Sequence, residues 1–113
     1  VGCVIASMDG RRVYGVGYNG GPARSARVCR GVHAVGNCGC CHAESNAVAN
    51  SETRRSDLKQ VLVTTEPCEL CATLIVNMGG VHRVWWATDY RTHDGAEILR
   101  EAGIDARNWR AEQ

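Results

Sequence analysis

His42, Glu44, Cys68 and Cys71 are the residues of this chain best equipped for chemistry. One imidazole and two thiols are donors that zinc prefers, and three protein ligands leave its fourth tetrahedral position open for water. In His42-Ala43-Glu44 the carboxyl stands two residues beyond the imidazole. On a regular helix it cannot easily share the ion with His42, but it can reach a water in the open position. In Pro67-Cys68-Glu69-Leu70-Cys71 the thiols are three residues apart, so one helical turn brings both sulfurs to the same side. Zinc lowers the pKa of water toward ~7, and a carboxyl beside that water can take up and return protons. A closed structural site, with a fourth ligand from Cys40 or Cys41, is the competing reading, and it leaves Glu44 without a purpose.

These side chains need elements to hold them. Val1–Ser7 and Val13–Tyr18 read as a strand pair turned at Met8-Asp9-Gly10-Arg11. Asn19-Gly20-Gly21-Pro22 breaks the pattern, and a long loop rich in Gly, Arg and Cys runs to Cys41. His42–Ser51 is helical, with Ala43, Ala47 and Val48 as its apolar face. Val61–Val63 is a short strand ending at Thr64-Thr65. Cys68–Met78 is a helix with Leu70, Leu74 and Ile75 as its buried stripe, ended by Gly79-Gly80. Val81–Ala87 is a strand, and Asp94–Ala102 a helix with Asp94 as N-cap and Gly103 as terminator. Ile104 begins a last edge strand. Strands alternating with helices after a hairpin imply a mixed α/β sheet in two or three layers. Both ligand segments open helices, whose positive N-terminal ends favour thiolate over thiol. Trp85 and Trp86 are adjacent on a strand and must face opposite sides, one in the core and the other at a subunit contact.

With 113 residues the chain suits a single domain spanning 1–113. A formal charge of +1 gives no strong pull toward nucleic acid or membrane, and no apolar run approaches the ~20 residues a membrane helix needs. Seven cysteines, an odd number, argue for thiolates on metal in a reducing, cytoplasmic compartment rather than for a disulfide framework. Twelve of the thirteen basic residues are Arg, and Lys59 is the single Lys.

The arrangement His-x-Glu…Pro-Cys-x-x-Cys is a signature of zinc nucleobase deaminases. The chain resembles the cytidine and deoxycytidylate deaminase superfamily in Val1-Gly2-Cys3-Val4-Ile5, Cys41-His42-Ala43-Glu44-Ser45-Asn46-Ala47 and Pro67-Cys68-Glu69-Leu70-Cys71. Gly17-Tyr18-Asn19-Gly20-Gly21-Pro22 and Tyr90 with Asp94-Gly95 resemble its deoxycytidylate branch, so the likeness spans nearly the whole chain. Thr65-Glu66-Pro67-Cys68 also resembles the Thr-x-Glu-Pro-Cys of tRNA adenosine and guanine-type deaminases.

The resemblance implies a five-stranded mixed sheet with helices on both faces, and a zinc ion held by His42, Cys68 and Cys71. It implies Glu44 as proton shuttle in hydrolytic deamination of a cytosine nucleotide, dCMP and water giving dUMP and ammonia. Asn19 would hydrogen-bond the sugar or base, and Tyr90 would line the nucleotide end of the pocket; turn geometry is the competing reading of Asn19, and Tyr18 is read as core. Relatives usually begin with a helix before the first strand. None stands here: either one face of the sheet is bare or an upstream piece precedes Val1. A homo-oligomer is implied, since relatives usually assemble.

Some relatives carry a second, structural zinc, and Cys29, His33, Cys38 and Cys40 could close such a site and anchor the long loop. Free thiols are the alternative. One of Arg24, Arg27 and Arg30 is expected to contact a 5′-phosphate, although a solvated loop face explains them equally well. Three readings of function compete. They are a deaminase of a free nucleotide, a deaminase of a nucleoside or polynucleotide base, and a zinc-stabilised module whose chemistry has lapsed. The low charge and scarce aromatics supply no obvious groove for a polynucleotide.

Overall fold

The structure is a computed structural model and describes residues 1–19 and 42–111. Strands β1 (Gly2–Ser7) and β2 (Val13–Tyr18) form the expected antiparallel hairpin. Its turn is tied by Asp9, whose Oδ1 accepts from Ser7 Oγ at 2.6 Å and from the Arg11 N–H at 3.0 Å. Helix α1 (Ala43–Asn50) follows, then strand β3 (Lys59–Thr65), helix α2 (Glu69–Met78), strand β4 (Val81–Thr88), helix α3 (Asp94–Glu101) and strand β5 (Asp105–Asn108). The sheet order is β2-β1-β3-β4-β5. β3 runs antiparallel to β1, while β4 and β5 run parallel to β3. Parallel neighbours need a crossover, and α2 and α3 supply the two.

The pleat decides which residues the helices cover. Cys3 pairs with Gly17 and Val63, Ile5 with Gly15 and Val61, Val61 with Val84, Val63 with Trp86, and Val84 with Ala106. These residues share one face, and its strand side chains form one core with Ala43 and Ala47 of α1, Ile75 of α2 and Leu99 of α3. The three described helices therefore lie on one side of the sheet, where the resemblance implied two-sided cover. On the other face Val16, Leu62 and Trp85 are exposed or half-buried. Trp86 is the core tryptophan, and Trp85 sits between Arg83, 4.2 Å from its ring centre, and Arg107, at 5.6 Å.

Three local expectations change. Tyr18 is 75% exposed rather than packed, because glycines occupy the inward positions of β2 and the pleat turns Tyr18 outward. Leu70 is exposed, because α2 turns Cys71, Ala72 and Ile75 inward and Leu70 falls on the opposite side. His93, not Asp94, is the N-cap of α3, and Asp94 is its first helical residue.

Gly15 and Gly17 let α1 lie directly on the edge strand. A Cβ on Gly17 would stand 2.3 Å from the Ala43 carbonyl oxygen, and one on Gly15 2.6 Å from that of Ala47. The contact is stitched by Asn46 and Asn50, one turn apart, whose Nδ2 groups donate to the Tyr18 and Val16 carbonyls at 2.7 and 3.1 Å. This fixes the rotation of α1 and therefore the direction in which His42 and Glu44 point.

Candidate metal and catalytic centre

His42 and Cys68 hold the same structural position. Each is the N-cap of its helix, in extended backbone (φ −70° and −72°), and neither side chain caps it. A capping side chain is typically worth about 1 kcal/mol, so two helices forgo that contribution and leave an imidazole and a thiol free to face each other. The start of α1 is bound from outside instead, by Asn19, whose Oδ1 accepts the Ala43 N–H at 2.9 Å.

His42 Nδ1 lies 3.2 Å from Cys71 Sγ and 3.5 Å from Cys68 Sγ. Ligand atoms of all three lie within 4.8 Å of one another. Tetrahedral zinc, with bonds of about 2.1 Å to nitrogen and about 2.3 Å to sulfur, sets N···S edges of roughly 3.5 Å. The cradle thus fits zinc in donor type and in size.

The two thiols differ sharply. Cys71 donates to Cys68, which together with the His42 charge holds Cys68 down to about 5 against the burial that opposes it. Cys71 is pushed up by giving that hydrogen bond, by burial and by the negative charge of Glu44. Glu44 is 5% exposed. Burial raises its pKa, opposed by its backbone hydrogen bond and by His42, while its carboxyl accepts from the Cys71 thiol. A carboxyl held toward neutrality beside the ligand atoms is suited to moving protons in both directions. Beneath it Cys3 is buried and pushed up to about 12, by burial and by Glu44, so it stays a neutral packing thiol.

Asn19 therefore reaches the start of α1 and has its Oδ1 engaged by Ala43, leaving its Nδ2 without a partner among the described residues. Tyr90 lies in the loop after β4, at the same sheet end as Cys68, its ring 6.0 Å from the Arg91 guanidinium. Cys29, His33, Cys38, Cys40, Cys41 and Arg24, Arg27 and Arg30 lie outside the described residues. Sequence reasoning missed one member of this end. Glu66, 2% exposed, accepts from the backbone N–H of Tyr90 at 3.2 Å and pairs with His93 Nδ1 at 2.9 Å. Its position beside Pro67-Cys68 was the available signal.

Metal-type donors at the starts of two helices, with a buried carboxyl beside them, give this α/β fold a cluster whose chemistry suits holding a metal ion and moving protons next to it. A profile described as the cytidine and deoxycytidylate deaminase zinc-binding region matches residues 1–88, and the chain belongs to that family. It is similar to a deoxycytidylate deaminase of Schizosaccharomyces pombe, with 30% identity over 96% of this chain and 37% of the relative. It is similar also to one of Mycobacterium phage D29, with 37% identity over 74% of both. The chain thus spans little more than a third of the fission-yeast relative. Among solved structures, dCMP deaminase from the cyanophage S-TIM5, crystallised with dCMP and dUMP, is similar with a TM-score of 0.76 and 25% identity, over 94% of this chain and 79% of that one. The mixed five-stranded sheet that the resemblance implied is the sheet observed.

Proposed function

We propose that the chain is a zinc-dependent deaminase of a cytosine nucleotide, converting dCMP and water to dUMP and ammonia. The observation that carries the reading is the cluster of His42 Nδ1 with the Cys68 and Cys71 sulfurs, and the buried Glu44 carboxyl against Cys71. The deoxycytidylate relatives and the cyanophage enzyme's two nucleotides support the choice of substrate.

His42, Cys68 and Cys71 would hold the ion, which supplies Lewis acidity that brings water toward ionisation near neutral pH. The chain's own residues do the rest. Glu44 takes a proton from the attacking water and delivers it to N3 of the cytosine ring as C4 is attacked. It then takes the proton of the new C4 hydroxyl and passes it to the amine, so that the C4–N bond breaks, ammonia leaves and C4 becomes the carbonyl of dUMP. Asn19, oriented through its bond to Ala43, offers its Nδ2 to the sugar or base, and Tyr90 lines the nucleotide end. Cytoplasmic location and assembly into a homo-oligomer belong to the same reading. Among the described residues no helix is long and apolar enough to cross a membrane.

An ultraviolet assay at matched zinc content, with dCMP, deoxycytidine, cytidine and a single-stranded oligonucleotide, tests the proposal. dCMP should react fastest. Preference for an unphosphorylated nucleoside or the oligonucleotide would replace the substrate, and no reaction from zinc-loaded protein would leave a binding module.

A further inference from the structure

Glu66 is a charged side chain in a place where charge is costly. Its carboxyl is fully enclosed, and buried carboxylates persist where hydrogen bonds satisfy them. All its described partners belong to one segment. Oε1 accepts the Tyr90 N–H at 3.2 Å and lies 3.1 Å from His93 Nδ1, and Oε2 lies 2.9 Å from the same nitrogen. The backbone repeats the tie, since the Glu66 N–H donates to the Thr88 carbonyl at 2.8 Å. His93 in turn is the N-cap of α3 with its side chain 63% exposed, so its ring reaches inward to Glu66 from the surface. Two residues further, Gly95 brings α3 onto the ligand loop: a Cβ there would stand 2.1 Å from the Pro67 carbonyl oxygen and 2.9 Å from that of Cys68.

The segment from Thr88 to Gly95 is therefore fastened to Glu66-Pro67-Cys68 at both ends and in the middle. In the middle, where Tyr90 stands, the described tie to this loop is the Glu66 carboxylate on the Tyr90 N–H, while Asp89 beside it is held from the sheet by Trp86 Nε1 and Asn108 Nδ2, both at 2.9 Å. We propose that Glu66, clasped by His93, is a positioning residue that fixes the Tyr90 segment relative to the Cys68 ligand loop and so sets the width of the substrate pocket at its nucleotide end. It touches neither the reacting atoms nor the ligand atoms. Its effect passes through Tyr90, and the functional half of the inference rests on the deaminase reading above.

The test compares Glu66→Met, which keeps the bulk and removes both acceptors, with His93→Ala and His93→Asn. An asparagine amide can place an N–H where Nδ1 stands. Two readouts are taken on zinc-loaded protein. Amide hydrogen exchange at Tyr90 needs no substrate, and should accelerate at least tenfold in Glu66→Met and severalfold in His93→Ala, with His93→Asn close to the parent. In steady-state deamination of dCMP, KM should rise about tenfold in Glu66→Met and about threefold in His93→Ala, with kcat within about twofold and zinc content unchanged. Exchange at Tyr90 unchanged in His93→Ala overturns the clasp, even where Glu66→Met fails to fold. Faster exchange with an unchanged KM, or with kcat falling in its place, overturns the positioning role. A parent protein that deaminates none of the cytosine substrates sinks the deaminase reading and, with it, the pocket-width role, while the exchange comparison still decides the clasp.

Discussion

Helix α2 carries two sulfurs at its first turn and meets a buried ammonium at its last. At the N-terminal end Cys68 and Cys71 face His42, and Cys68 is held down to about 5. At the C-terminal end Lys59 is fully buried, its Nζ donating to the Gly79 and Arg54 carbonyls at 2.7 and 2.8 Å. Arg55 adds a second cation there by donating to the Asn77 carbonyl. The helix macrodipole favours negative charge at the first end and positive charge at the second, so both are matched to their place. They differ in what is left over. Lys59 is enclosed by backbone carbonyls and offers nothing to a ligand. Cys68 and Glu44 accept backbone hydrogen bonds of their own, yet the donor atoms of the two thiols and Glu44 still crowd together opposite the His42 imidazole, a set suited to an ion. One end of the helix is tied down by its backbone carbonyls, and the other leaves its N-cap side chain free to face His42.

Metal removal should separate the two ends most. Dialysis against a chelator should abolish deamination. Because zinc at 1,000 times its Kd stabilises by about 4 kcal/mol, Tm should fall by more than about 10 °C and return with added zinc. Unchanged activity after complete removal would break the comparison at its chemical end. Glu44→Gln comes next: kcat should fall about 10²- to 10⁴-fold, with zinc content and Tm retained, since the replaced carboxyl is raised by burial. Lys59→Met should do the reverse. It strands two carbonyls at roughly 1–3 kcal/mol each, so thermal or urea melting should show a clear loss while kcat of the zinc-loaded variant stays within about twofold. A large kcat effect would mean that the ends of α2 are coupled.

The smallest effect concerns His93, whose pKa is raised by its hydrogen bond to Glu66 and by that residue's charge. A histidine raised above its unfolded value of about 6.5 contributes stability that is whole below that pH and lost as pH climbs through the folded value. The Tm gap between the parent and His93→Ala should therefore be wider at pH 6 than at pH 9. A gap independent of pH would show that His93 acts only as a neutral donor.

The chemical end of α2 was legible in the sequence because its information is local. Cys68 and Cys71 are one turn apart, His42 and Glu44 are neighbours, and Pro67 and the glycines at 79 and 80 bracket a helix. The element order followed from the same local signals, and β5 from the apolar Ile104 after Gly103. The errors at Tyr18 and Leu70 share one cause. An apolar or aromatic residue in a strand or helix reads as core, yet the side that faces inward is set by neighbours, here the glycines of β2 and the inward turn of Cys71. Lys59 was passed over as the lone lysine, and its burial depends on carbonyls at positions 54 and 79 that no local pattern joins to it.

By itself, then, the sequence determined which donor atoms the chain owns, which short elements carry them, and that a carboxyl accompanies them. Ligand type, helical period and turn residues act over a few neighbours and are written in order along the chain. The tertiary structure alone decided that His42 meets Cys68 and Cys71 across two helices, that all three described helices share one face, and that Glu66 grips Tyr90 and His93. Those contacts join residues more than twenty positions apart, and they exist only because sheet register and close glycine packing bring the segments together.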